Sequence, residues 1–199
     1  MSGGLLDKTS GRASPASVPR LDMALVVAGT AAIACLSWTS LDRPQALSST
    51  GLGALMIAGA DMDARFLLLP DAVTLGGLLA ALAAAAFLAQ GDPLVAVAEA
   101  ALRAICVAGI FELLRRTYER RRGIEGLGFG DVKLAAAIGA WLPLEFIPIC
   151  VGLACGAALA FAGVAHLRGA PFESRTKLPF GAFLCPALWL AYFSSALGL

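Results

Sequence analysis

Apolar residues dominate this chain in long runs, broken only at short polar intervals. The runs fall at about 22–41, 46–62, 72–90, 94–114, 131–142, 145–166 and 178–198. Several approach the roughly 20 residues that an α-helix needs to cross a bilayer. The second and fifth are short or contain glycine, so the pattern predicts six to seven transmembrane helices. Pro70, Pro93, Pro143 and Pro179 punctuate the boundaries, as expected where helices start or stop. Small residues crowd the interiors, notably at Ala80–Ala86 and Cys155-Gly156-Ala157-Ala158, and such surfaces let membrane helices pack closely. The predicted fold class is all-α, a polytopic membrane helix bundle.

Composition agrees. Of 199 residues, 59% are hydrophobic and 15% charged, against about 45–50% and about 25% in a soluble domain. The mean hydropathy is +0.81. A net charge of +1 gives no indication of nucleic-acid binding. Residues 1–21 are polar and rich in Ser, Gly and Pro; they read as a flexible cytoplasmic tail, the rival being the n-region of a cleaved signal peptide. Residues 22–199 then form one transmembrane domain, with no internal repeat and no second soluble domain. The five cysteines all lie in apolar segments without framework spacing and read as small buried hydrophobes. With no CxxC pair and only His166, neither a Cys/His zinc site nor a Ser-His-Asp triad is readily assembled. No metal or cofactor is expected.

Basic residues set the orientation. An N-terminus in the cytoplasm brings Lys8, Arg12, Arg20, Arg65, Arg115, Arg116, Arg120, Arg121, Arg122, Arg168, Arg175 and Lys177 to the cytoplasmic side, twelve of fifteen. Arg43 alone lies opposite, and Lys133 sits one turn inside the cytoplasmic face. Arg103 falls mid-helix, where a charge costs roughly 2.5–3.5 kcal/mol on insertion scales. Glu99, four residues earlier, predicts an internal ion pair; a part in substrate or proton movement is the alternative. The arginines at 115–122 read as an anchor on anionic lipid or as a contact for an acidic part of a substrate. Trp38, Trp141 and Trp189 read as interfacial belt residues, and His166 as a solvated residue at a helix end.

Two acidic stretches arrive at the same depth in this topology. One is Asp61-Met62-Asp63-Ala64-Arg65, followed by Leu69-Pro70-Asp71; the other is Glu125-Gly126-Leu127-Gly128-Phe129-Gly130-Asp131-Val132-Lys133. Two carboxylates at equal depth in a helix bundle suggest a general acid/base pair. Like charges held close together cannot both ionise, so one carboxyl keeps its proton and the other can activate water. Peptide hydrolysis by such a pair needs neither a metal nor a nucleophilic side chain. The glycines before Asp131 serve either as a small-xxx-small packing face or as an open path for an extended substrate backbone. Lys133 either tunes the pair electrostatically or snorkels to the interface.

The second stretch, with the following Leu134 and Ala135 to Leu142, resembles the GxGD region of the type IV prepilin peptidases. Asp63 to Asp71, with Leu69-Pro70-Asp71 and Thr74-Leu75, is similar to that family's first aspartate motif. Pro179-Phe180-Gly181-Ala182-Phe183-Leu184 resembles its Pro-Phe-Gly-Pro-Phe-Leu segment, with Ala182 in place of the usual proline. The ordered motifs cover roughly residues 55–190. The resemblance implies a bacterial inner-membrane, multi-pass aspartic endopeptidase that removes the leader of prepilin or pseudopilin substrates at the cytoplasmic face. Its catalytic residues would be Asp63 and Asp131, with Gly128, Gly130, Lys133 and Glu125 binding substrate or supporting the site. Asp61 is the rival for the first role; the motif spacing and sequence proximity to Arg65 favour Asp63. Asp71 would be a loop or helix-start residue, an N-cap of the third helix rather than a catalyst. Without the family's cysteine-containing N-terminal domain, methyltransferase activity is not expected.

The implied partners are a prepilin substrate and the lipid bilayer, not nucleic acid; oligomeric state is open. Two other classes compete: a small proton- or cation-coupled transporter component, and a catalytically inactive assembly partner of a secretion or pilus system.

Overall fold

The computed structural model describes residues 21–124, 126–168 and 178–199. They form seven helices: α1 Met23–Ser40, α2 Arg43–Phe66, α3 Asp71–Leu88, α4 Pro93–Arg122, α5 Phe129–Trp141, α6 Phe146–Leu167 and α7 Phe180–Leu197. The all-α bundle read from the sequence is therefore found, with seven elements. The reading of residues 1–21 as a tail falls almost wholly outside the described residues.

Local sequence explains most helix ends. Asp22 caps α1 by accepting the Ala24 and Leu25 amides, and Asp92 caps α4 through the Leu94 amide with Pro93 just inside. Both arrangements satisfy donors that a helix start leaves orphaned. Two helices outrun their apolar runs. α2 continues to Phe66 and closes on Leu67 in the left-handed region at φ 52°, a conformation that costs a non-glycine residue about 1–2 kcal/mol. α4 continues to Arg122 because Glu112 bonds both Arg115, at 2.8 Å, and Arg116, at 2.6 Å, along its surface. Such i,i+3 and i,i+4 pairs support a helix where burial does not. Its 30 residues extend about 45 Å, well past a hydrocarbon core of about 30 Å.

Five helices, α1, α3, α4, α6 and α7, are long and apolar enough to cross a membrane. Of the other two, α5 is the most buried helix and α2 has helices packed on it from three sides. Nine of the thirteen residues of α5 are buried, whereas α1 buries only Ser37. α5 lies against α3, α4 and α7, and α2 against α1, α3 and α7. α5 is too short to span, at roughly 20 Å, and α2 carries several polar residues. The two helices least suited to lipid are thus shielded from it by the others. They are also the two that carry Asp63 and Asp131.

The core is built where α5 meets its neighbours. Leu134, Ile138, Leu184 and Leu188 are fully buried, with Leu52 and Met56 from α2. At Gly139 the backbones of α4 and α5 nearly touch: an added Cβ would lie 2.5 Å from the Arg103 carbonyl oxygen. This close approach changes the reading of Arg103. Its Nε donates to the Gly139 carbonyl at 3.2 Å, and no ion pair joins it to Glu99 among the described residues. A helix-end carbonyl brought within reach by a glycine replaces the expected acid.

Trp141 is also corrected. It is buried rather than interfacial, donating to the Gly77 carbonyl at 2.9 Å and meeting the Tyr192 ring edge-on at 5.1 Å. Trp38 is exposed, and Trp189 donates to Ser49 at 3.1 Å. All five cysteines are free, but only Cys150 and Cys185 are buried. The other three face outward, where lipid accepts a thiol as readily as a core does. His166 is exposed at the end of α6.

Gly139→Ala should therefore destabilise the bundle by about 1–3 kcal/mol, the usual cost of overpacking. Gly109→Ala, also in a helix but with open space around its Cβ, should be neutral or stabilising. Thermal unfolding of the two variants in detergent measures the contrast.

Candidate active site

The last turns of α2, the first turns of α3, α5 and α7, and the cap of α1 converge at one end of the bundle. Asp61 and Asp63 are both buried there, at 8% and 7% exposure, and so is Asp131 at 9%. Residues two apart on a helix are turned by about 200°, so the two α2 aspartates meet different neighbours. Asp61 faces α1, where it accepts the Asp22 amide at 3.0 Å, and it pairs with Arg65 one turn on. Asp63 faces α7, where it accepts the Ala182 amide at 2.8 Å. Sequence proximity of Asp63 to Arg65 does not become contact, because the i,i+4 spacing delivers Arg65 to Asp61. Asp61 is thereby committed to holding α1 on α2, and among the described residues no side-chain cation lies on Asp63.

Asp131 is the third residue of α5. Its carboxylate accepts the Gly128 amide at 3.3 Å, and its own amide returns to the Gly128 carbonyl at 3.2 Å. An acid at this position is favoured by the positive end of the helix dipole. The Asp63 and Asp131 carboxylates act on one another electrostatically across the gap between α2 and α5. Both also bear on the buried Cys185 thiol of α7. Topology therefore brings together the two acids that the motifs singled out.

The α2–α3 connection forms one wall. After Leu67 reverses the chain, Leu69 lodges between two glycines: a Cβ on Gly130 would lie 3.1 Å from Leu69 Cβ, and one on Gly181 only 2.3 Å from Leu69 Cδ1. The space beside Gly130 is thus occupied by Leu69, and that beside Gly126 by the Tyr118 ring. Gly128 stays open apart from the Asp131 carboxylate.

Lys133 does something not foreseen. Its ammonium pairs with Asp71 at 2.5 Å and lies 5.3 Å from the centre of the Phe129 ring. It ties α5 to α3, and its charge is directed to Asp71. Asp71 starts α3, as the helix-start reading expects, but as its first residue and not as its cap; Pro70 holds the cap position. Glu125 lies outside the described residues. Among those described, no three His, Cys, Asp or Glu side chains are grouped to hold a metal ion.

Two further residues shape this end of the bundle, Leu69 by packing and Ala182 by its amide. Leu69 and Ala182 both stood inside quoted motifs without a role. A signal for Ala182 existed: Pro179 offers α7 no capping side chain, so the first amides of that helix needed a partner from elsewhere.

The profile of the type IV leader peptidase family matches residues 50–163. The chain belongs to this family. It is similar to the prepilin leader peptidase/N-methyltransferase of Burkholderia pseudomallei, 37% identical over 142 residues that make up 70% of this chain and 43% of that protein. It is likewise similar to the prepilin leader peptidase/N-methyltransferase of Pseudomonas aeruginosa, 34% identical over 139 residues, 68% of this chain and 45% of that protein. Leader peptidase HopD of Escherichia coli is 38% identical over 100 residues, 50% of this chain and 64% of that protein. The match thus spans less than half the length of the first two relatives. No solved structure matches. Membership of a leader peptidase family, with five helices fit to cross a membrane, makes this a multi-pass membrane protein.

The two ion pairs at this end should differ in weight. Asp61→Ala removes the part-buried hydrogen bond that the Asp22 amide makes to a charged group and should cost about 1.5–3 kcal/mol. Asp71→Ala breaks a pair whose acid side chain is 65% exposed and should cost under about 1 kcal/mol. Parallel melting curves in detergent rank them.

Proposed function

We propose that residues 22–199 form an aspartic endopeptidase domain that cleaves the leader of prepilin-like proteins at the cytoplasmic face of the bacterial inner membrane, using Asp63 and Asp131. The observation that carries this reading is the meeting of two buried, electrostatically coupled aspartates from helices remote in sequence, in a chain of the leader peptidase family.

The chemistry follows from the pair. Desolvation and mutual repulsion keep one proton shared between two close carboxyl groups. The ionised partner takes a proton from water as the water oxygen attacks the scissile carbonyl carbon. The protonated partner gives its proton to the carbonyl oxygen. When the tetrahedral intermediate collapses, the C–N bond breaks, the amine receives the proton taken from water, and the other proton returns to its donor. Both carboxyls end as they began.

Cytoplasmic placement rests on charge. Arg65, Arg115, Arg116, Arg120, Arg121, Arg122 and Arg168 lie on helix ends of the same side as the aspartates, and Arg43 starts α2 at the other. The positive-inside rule assigns the rich side to the cytoplasm. A basic rim there also suits anionic lipid headgroups. The proposal covers leader cleavage and not the methyl transfer in the relatives' names.

Co-expression with a prepilin, followed by a gel shift of the leader, tests the reading. Asp63→Asn and Asp131→Asn should each lower processing by at least about 100-fold, the scale of lost general acid/base catalysis. Asp61→Asn and Asp71→Asn should continue to process. Full processing by Asp63→Asn would remove it from the pair. A wild type that cuts no prepilin but carries protons into liposomes would replace the peptidase with a transporter.

A further inference from the structure

Asp63 is held from outside its own helix. The Ala182 amide, third in α7, donates to its Oδ2 at 2.8 Å, and the Gly181 amide adds to the same carboxylate. Helix 7 comes this close because position 181 is glycine: a Cβ there would lie 2.9 Å from Oδ2 and 3.0 Å from Cγ of Asp63. Asp131 has a poorer arrangement, one amide from its own capping loop at 3.3 Å. Amides at a helix start favour the charged form of an acid they touch.

Among the described residues, the other charges around Asp63 do not compete for it. Arg65 is bound by Asp61 on the same helix, and Lys133 of α5 by Asp71 of α3. Asp22 of α1 caps its own helix. What faces Asp63 is Asp131 from α5 and Cys185 from α7, and both oppose a second negative charge. Among the described groups, the helix-7 amides are therefore what distinguishes the two acids.

We infer that Ala182 is a positioning residue, whose amide holds Asp63 as the ionised, water-activating member of the pair and leaves Asp131 to carry the proton given to the carbonyl oxygen. This rests on the peptidase reading for its catalytic consequence, while the contact itself can be tested without substrate. The position is notable because the resembled motif has proline there, which has no amide hydrogen to donate. This chain has a donor where that motif has none.

Proline is tolerated in the first turn of a helix, so Ala182→Pro removes the donor with little disturbance, and Ala182→Gly keeps it. The Asp63 carboxylate band is identified in infrared spectra by difference against Asp63→Asn, and followed with pH in detergent. Removing a hydrogen bond to a charged group should raise the pH at which Asp63 protonates by about one unit or more in Ala182→Pro. Ala182→Gly should titrate as wild type. With prepilin as substrate, the acid limb of kcat should move the same way in Ala182→Pro while KM stays within about twofold.

Matching titrations in wild type, Ala182→Pro and Ala182→Gly would overturn the inference. Should Ala182→Pro fail to fold, 15N-alanine labelling of the wild type decides. The Ala182 amide shift must follow the Asp63 titration and lose that dependence in Asp63→Asn; an amide blind to Asp63 overturns the proposal. A wild type inactive on prepilin would instead count against the peptidase reading, and the two spectroscopic titrations would still judge the contact.

Discussion

Everything in this molecule is arranged around the cost of keeping carboxylates inside an apolar bundle. Asp61, Asp63 and Asp131 are each buried, and a buried charge is tolerated only when paired or hydrogen-bonded. The fold meets that requirement in three ways. Asp61 takes a cation from its own helix and an amide from α1; Asp131 closes the start of its own helix; Asp63 is bonded by the start of another. The helices carrying these acids are each packed against three others, and the acids lie on their buried sides.

That arrangement also separates acids paired with cations from the pair proposed to react. Asp61 and Asp71 have cations, Arg65 and Lys133, that neutralise them and join elements together. Asp63 and Asp131 have amides and each other. Two groups that share a site with no neutralising cation among the described residues are suited to holding one proton between them, which is the property the proposed hydrolysis uses. Leu69 links the halves by packing at once on Gly130 and Gly181, so the three sequence motifs are also one physical contact.

Much of this was legible beforehand. The apolar runs predicted six to seven elements and, except at the C-terminal end of α4, placed their ends within a few residues, because a membrane helix is defined by a stretch of composition and is bounded by proline and charge. The positions of Asp63 and Asp131 were readable from motif spacing, and their common depth from Lys and Arg placement. What failed were pairings between side chains. Arg103 has Glu99 on its own helix face, yet its guanidinium reaches the Gly139 carbonyl. Lys133 reaches Asp71 of a distant segment. Trp141 looked like a belt residue because composition cannot show that its helix is central.

By itself, then, the sequence determined the all-α class, the division into helices and the acids worth examining. These depend on local composition and spacing, and each helix satisfies its own backbone within the segment. Only the tertiary structure decided which acid was free. Asp61 and Asp63 are nearly equivalent in sequence, each beside Arg65 and each in the same apolar setting. They are told apart by a turn of about 200°, which gives one to α1 and a salt bridge and the other to α7 and a partner aspartate. No property of α2 alone contains that choice, because it depends on which helix packs on which face.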